Sequence, residues 1–169
     1  MKESSALSLL DEEEAGMAEI KVVGFQIGDE EYAIDIMKID SVTEMLKIMK
    51  LPGLPTFVKG VANLRGEVIP ILNTRTKFGL SSKPDDSKDR IVIILVGNKK
   101  VGMIVDEVKE VLTLQDEQLE ETPSTAGASS ARFISAIAKL DNRMLIILDI
   151  DKILSEDEIL RMDKALERV

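Results

Sequence analysis

Apolar and polar positions along this chain change with short, strand-like periods. From Lys21 the pattern reads as a strand over 22–27, then a tight turn at Gly28-Asp29-Glu30-Glu31. A second strand follows, in which Tyr32, Ile34 and Ile36 alternate with Ala33 and Asp35. Past Ile36 the apolar step becomes three, with Ile39 and Val42, so a bulge or a helical turn is expected to interrupt the strand there. Leu51-Pro52-Gly53-Leu54-Pro55 predicts a rigid corner, and a hairpin turning at Arg65-Gly66 follows it. Pro70 cannot donate to a ladder, which places its strand at a sheet edge or the residue at a bulge. Residues 81–90, containing Lys83-Pro84-Asp85-Asp86, predict a connecting loop. Beyond it come strands over 91–96 and 101–105, and later strands near 134–140 and 144–150. A helix over 155–169 closes the chain, with a capping box at Ser155 and Glu158 and one apolar stripe of Ile159, Met162, Leu166 and Val169.

These elements occur twice. Residues 22–42 lie over 91–111 without a gap at an offset of 69, matching Val23 to Val92, Gly28 to Gly97, Ile36 to Val105, Ile39 to Val108 and Val42 to Val111. The hairpin of Gly60-Val61-Ala62-Asn63-Leu64 recurs from Ala136 at an offset of 76, with Asp141-Asn142 in place of Arg65-Gly66. The second unit thus holds seven more residues, and the polar run 115–130 is where they fit.

At 169 residues and 44% hydrophobic content, the chain can bury one good core or two small ones, and the duplication favours two units sharing an interface. The longest apolar runs are strand-sized, and the acidic residues 1–19 do not resemble a signal peptide, so neither membrane insertion nor export is expected. The absence of cysteine and histidine excludes disulfides, thiolate zinc sites, thiol catalysis and His-based triads, and fits a cytosolic setting. The net charge of −9 is concentrated in the tail, a candidate flexible segment. With 3% aromatics and no tryptophan, the body lacks the basic field and stacking platforms of a nucleic-acid binder.

Few residues invite a chemical role. Asp149 and Asp151 form a weak Asp-x-Asp signal for a hard cation or a carboxylate enzyme, against a charged strand end. Arg65 is sharper, because the matching Asp141 shows that the hairpin does not require arginine; a solvated or ion-paired turn residue is the plain alternative. Ile36, Ile39 and Val42, with Val105, Val108 and Val111, form either ordinary core or the lining of a groove between the units.

The segment Gly60-Val61-Ala62-Asn63-Leu64-Arg65-Gly66-Glu67-Val68-Ile69-Pro70-Ile71-Leu72-Asn73 resembles the signature hairpin of the chemotaxis coupling proteins, the CheW-like family. Tyr32-Ala33-Ile34-Asp35-Ile36, Val101-Gly102-Met103-Ile104-Val105-Asp106-Glu107-Val108 and Arg143-Met144-Leu145-Ile146-Ile147-Leu148-Asp149 look like its other strands, in order, and the match spans about 20–154. The resemblance implies a mainly β fold of two similar five-stranded barrels, the first about 20–80 and the second about 91–150, with strand exchange between them left open. The short helix of 155–169 follows. It also implies a non-enzymatic cytoplasmic adaptor without cofactor or metal, recruited to receptor arrays beneath the inner membrane. Such an adaptor joins the cytoplasmic tip of a methyl-accepting chemoreceptor to the regulatory domain of the histidine kinase CheA, with ring-like association in arrays. Carried over to this chain, receptor-binding positions fall on Val23, Ile36, Ile39, Val42, Gly102, Val105 and Val108. Kinase-binding positions fall near Val42 and Lys59, and the signalling or structural motif on Gly60, Asn63, Arg65 and Gly66. One departure is Ser41, where many members of the family have an acid that can pair with the motif arginine; Asp40 or Glu44 could substitute, or Arg65 is free for another contact. A scaffold serving another motility or biofilm pathway is the main alternative.

Overall fold

The computed structural model describes residues 19–121 and 132–167; the acidic tail before Glu19, the run 122–131 and residues 168–169, with Val169 of the expected helix stripe, lie outside the described residues. Strands β1 (Glu19–Ile27) and β2 (Glu30–Asp35) form a hairpin, and a 3-10 turn over Ile36–Lys38 leads into β3 (Ile39–Glu44). This turn is the interruption expected from the changed apolar step. A second hairpin, β4 (Val58–Leu64) and β5 (Glu67–Leu72), precedes the one-turn helix α1 (Thr74–Lys77). The scheme then repeats as β6 (Arg90–Val96), β7 (Lys99–Val105), β8 (Glu107–Gln115), β10 (Ile134–Lys139) and β11 (Met144–Leu148). The extra residues of the second unit are not merely loop: they carry a 3-10 turn, Asp116–Gln118, and β9 (Leu119–Glu121), which pairs with β10. A 3-10 turn over Ile150–Lys152 and helix α2 (Glu156–Leu166) end the chain.

Neither sheet is built from one contiguous half. The six-stranded sheet runs β8-β1-β2-β11-β10-β9 and the five-stranded sheet β3-β6-β7-β5-β4. Each joins the leading hairpin of one repeat to the later strands of the other, through parallel contacts of β2 with β11 and of β5 with β7 and antiparallel ladders of β1 with β8 and of β3 with β6. Pro70 fits inside β5 because that parallel ladder begins only at Ile71, so its missing N–H removes no bond to β7.

The fold class is the expected one, mainly β with two similar units and a short C-terminal helix, but neither ladder closes into a barrel. The reason lies in the strands that would have to meet. These are β3 with β4, and β8 with the three-residue β9; β3, β4 and β8 each carry one extra residue that breaks the register, Asp40, Lys59 and a residue between Val108 and Val111. A bulge bends the strand and leaves a residue without a ladder partner, so these edges turn away instead of pairing.

Both sheets nevertheless curl. Val22, Ala33, Leu114, Ala138, Leu145 and Ile147, from five strands of the larger sheet, share one small core, and Ala62, Ile69, Ile71, Ile91 and Ile93 share another inside the smaller sheet. The opposite faces meet in the main core, where Phe25, Ile27 and Ile34 pack with Val92, Ile94, Val101, Met103 and Val105. Strand β6 is buried on both faces, which accounts for its unbroken apolar run. Helix α2 covers one side of this core with Met162 and Ile159. It is fastened by Lys77, whose ammonium sits 2.9 Å from Glu158 and 4.2 Å from the centre of the Phe57 ring.

Candidate functional site

The chain crosses between the sheets at two places, and four of the seven implied groove positions sit there. The first crossing is the 3-10 turn between β2 and β3. It carries Ile36, 36% exposed, and delivers Ile39 against the shared core. The second is Asp106, the single residue between β7 and β8, flanked by fully buried Val105 and partly buried Val108. Further along the edge strands, Val42 and its equivalent Val111 are 41% and 56% exposed. Val23 is nearly buried and is ladder partner to Val111 and Ile34. The implied positions thus divide into buried members, Val23 and Val105, and exposed ones, Ile36 and Val42.

Gly102 lies elsewhere. A side chain at this position would meet Ile71 Cδ1 at 2.6 Å and Ile91 Cγ2 at 2.8 Å, inside the small core of the five-stranded sheet. Glycine lets those isoleucines close over the backbone. We expect Gly102→Ala to lower stability by ~1–2 kcal/mol through overpacking, read as a reduced denaturant midpoint with an unchanged slope.

At the mouth of each curled sheet three charged side chains meet. In the five-stranded sheet Lys100 lies 3.1 Å from Glu67 and 3.9 Å from Asp40. In the other, Arg143 lies 2.6 Å from Glu110 and 3.5 Å from Glu31. The repeat offsets make Glu31 equivalent to Lys100 and Arg143 to Glu67, so two members recur with their charges reversed, while Glu110 matches Ser41, the neighbour of Asp40. The hydrogen bond from Arg143 holds the Glu110 carboxyl below its ordinary pKa.

This redistribution accounts for Arg65. Arg65 and Gly66 both take positive φ, 53° and 87°, the two-residue turn that matches strand twist, and the Gly66 N–H donates to Asn63 Oδ1 at 2.8 Å. Arg65 is exposed and forms no ion pair among the described residues. Asp40 serves Lys100 and accepts from the Ser41 hydroxyl at 3.2 Å, so it does not replace the acid missing at Ser41. The pairing of a hairpin arginine with an acid just before the edge valine occurs instead in the second unit, between Arg143 and Glu110.

Lys59, the bulged residue of β4, reaches to within 3.9 Å of Asp85 and shares a small polar pocket, about 40 Å³, with Asn73, Arg75, Lys83 and Asp106. Asp149 and Asp151 are already engaged. Asp149 Oδ1 caps the last 3-10 turn through the Asp151 N–H, and the Asp151 carboxylate pairs with Lys38 at 3.2 Å. Among the described residues no cluster of acids could hold a metal, and no helix is long and apolar enough to cross a membrane.

The element the sequence reading missed is a pair 31 residues apart. Asp106 accepts from Arg75 at 2.6 Å and 3.2 Å and from the Gly28 N–H at 2.8 Å. Burial pushes its pKa up, yet these hydrogen bonds outweigh it and hold the carboxyl below the ordinary range; the same contact raises Arg75. Extending the repeat offset of 76 would have set Arg75 opposite Asp151, another charge just past a hairpin.

Comparison with known proteins decides what this framework is. Residues 21–158 match the CheW-like domain. The chain belongs to the CheW-like family. It is 35% identical over 141 residues to the chemotaxis protein CheW of Klebsiella aerogenes, covering 83% of this chain and 85% of that one. It is also 34% identical over 140 residues to CheW of Thermotoga maritima, covering 83% and 91%. The crystal structure of the scaffolding protein TtCheW from Thermoanaerobacter tengcongensis superposes with a TM-score of 0.75 at 32% identity, over 82% of this chain and 94% of that one. As a CheW-like protein the chain is a non-enzymatic chemotaxis scaffold, in agreement with a site that offers apolar and charged surfaces.

Proposed function

We propose that this CheW-like chain couples chemoreceptors to the histidine kinase CheA. The apolar strip at the two crossings receives the helical tip of a receptor, and the sheet end near Val42 and Lys59 faces the kinase regulatory domain. The observation that carries this reading is the incomplete burial of Ile36, Ile39 and Val108 over a well-packed floor. A strip of that kind has apolar surface to give to an amphipathic helical partner. Arg65, exposed in the β4–β5 turn and without an ion pair among the described residues, is available for a signalling contact. Joining both partners raises the local concentration of one near the other to the order of millimolar, so modest contacts sum to a stable complex. In this role the protein works in the cytoplasm, recruited to receptor arrays beneath the inner membrane, where ring-like association extends the lattice.

The test is a titration of the full chain with a receptor cytoplasmic fragment and, separately, with the kinase regulatory domain. Wild type is expected to bind both, and Ile36→Asp, Ile39→Asp, checked for a native melt, to bind the receptor fragment roughly tenfold more weakly while retaining the kinase. A folded double variant that still binds the receptor fragment normally excludes the strip. Binding of wild type to the kinase alone assigns the chain to a scaffold that works without receptors.

A further inference from the structure

The two crossings between the sheets are fastened at equivalent positions and with very different strength. Arg75 and Asp151 correspond under the repeat, each standing two residues past the residue that caps the turn after a hairpin, Asn73 in one case and Asp149 in the other. Their partners stand one position apart in the repeat: Asp106 matches Met37, and Lys38 is the next residue. Each crossing is thus tied to the turn that follows a hairpin, with the charges reversed between the two copies.

The Asp106 tie is two-pronged and largely shielded. Arg75 donates through Nε and Nη2 to the Asp106 carboxylate, and its Nη1 donates to the Ser81 carbonyl at 2.9 Å. The carboxylate also accepts from Gly28 N–H, while the backbone N–H of Asp106 donates to the Gln26 carbonyl at 2.9 Å. Both side chains are mostly buried, 20% and 17% exposed. This one residue therefore links β7 of the smaller sheet, the β1–β2 turn of the larger sheet and α1. The Lys38 tie is a single contact between side chains 44% and 53% exposed. A planar guanidinium fork fixes direction as well as distance, whereas an exposed lysine pair holds neither firmly.

We infer that Arg75 and Asp106 are positioning residues: they set the β7–β8 crossing, with Val105 and Val108, as the rigid wall of the apolar strip, while the Ile36–Lys38 crossing is the wall that yields to a helical ligand. The inference rests on the strip being the receptor site. It fits the exposure at the two crossings, where Val105 is fully buried at one and Met37 is 78% exposed at the other.

Amide hydrogen exchange on the free full-length chain tests the mechanical part without any ligand. Amides 36–39 are expected to exchange about tenfold faster than 105–108 in wild type, and Asp106→Asn to accelerate 105–108 by about tenfold with a cooperative melt retained. Asparagine keeps the acceptor for Gly28 and gives up the charge. Lys38→Ala is expected to leave 105–108 unchanged. The functional part is read with the receptor fragment and the kinase regulatory domain. Asp106→Asn is expected to weaken the first about tenfold and the second by less than about twofold, and Lys38→Ala to alter the first by less than about threefold. Should Asp106→Asn fail to fold, Arg75→Lys, which keeps the charge but not the fork, carries the same readouts.

Equal protection at both crossings in wild type, or unchanged exchange at 105–108 in the folded variant, overturns the rigid-wall assignment. Altered exchange with unchanged receptor affinity overturns the positioning role. Failure of wild type to bind the receptor fragment overturns the groove itself, and the exchange data then identify the pair as a stability element.

Discussion

Gly60→Ala is expected to be among the most damaging single substitutions in this chain, lowering stability by ~3 kcal/mol or more and leaving little folded protein at 37 °C. The segment before the second hairpin is drawn against β4 by a reciprocal bridge. The Met49 N–H donates to the Val61 carbonyl and the Val61 N–H to the Met49 carbonyl, both at 2.8 Å. A β-carbon on Gly60 would collide with the Met49 carbonyl oxygen and lie 2.7 Å from Ile48 Cγ2. Backbone cannot move aside as the end of a side chain can, so the bridge must break or the bulge at Lys59 must shift. The second unit tolerates Ala136 at the equivalent place because there the partner is the regular strand β9, with Ala136 set opposite Glu121. Thermal unfolding of Gly60→Ala beside Gly102→Ala decides the matter: the first should lose more than the second, because one glycine is opposed by backbone and the other by isoleucine ends.

Glu158→Gln should lower stability by ~2–3 kcal/mol, and Lys77→Met by less, although both remove the same ion pair. The Lys77 side chain is 9% exposed and leans on Phe57, so glutamine at 158 leaves a nearly buried ammonium without its carboxylate. Methionine at 77 instead removes that charge and keeps an apolar stem against the ring, while Glu158 retains its role in the capping box and lies 3.8 Å from Arg132. The pair also predicts acid sensitivity. Burial pushes the Glu158 pKa up, but hydrogen bonds from the Ser155 N–H and Lys77 prevail and hold it below the ordinary value. A carboxyl depressed in the folded state contributes stability that is complete above its unfolded pKa, about 4.3, and lost as pH falls through the folded value. Asp106 and Glu110 act in the same sense. Wild type should therefore lose melting temperature steeply below about pH 4, and Glu158→Gln, already without one of these groups, less steeply. Parallel slopes for the two proteins between pH 5 and pH 3, as order-of-magnitude limits, would remove Glu158 from that account.

Local features were legible in the sequence because their causes are local. Gly28-Asp29 and Arg65-Gly66 announce turns, the changed step after Ile36 announces the 3-10 turn, and Ser155 with Glu158 announces a helix start. The duplication was legible because two gapless offsets align separate segments. The exchange of strands was not, since a repeat pairs with itself or with its copy using the same apolar pattern. The pairings that distinguish the two join one repeat to the other, parallel for Ile147 with Ala33 and Ile71 with Gly102 and antiparallel for β1 with β8 and β3 with β6. The bulges that keep the ladders open were hidden for a related reason: an extra residue such as Lys59 or Asp40 alters register only relative to a partner strand. Of the implied site, Ile36, Ile39, Val105 and Val108 converge at the crossings, whereas Gly102 serves a small core, a difference that lies in which face of β7 the position occupies. Asp106 and Arg75 are unremarkable charges until the topology brings the end of β7 against α1.

The reciprocal sharing of strands has a consequence for what this chain is in evolutionary and practical terms. A single repeat supplies a leading hairpin for one sheet and the trailing strands of the other, three from the first repeat and four from the second, and completes neither. A half-length chain would reach a finished core only by associating with a second half, so the main core has the character of a subunit interface held within one chain. Severing the backbone in the 81–89 connection should accordingly give two fragments that assemble when mixed and remain unfolded apart.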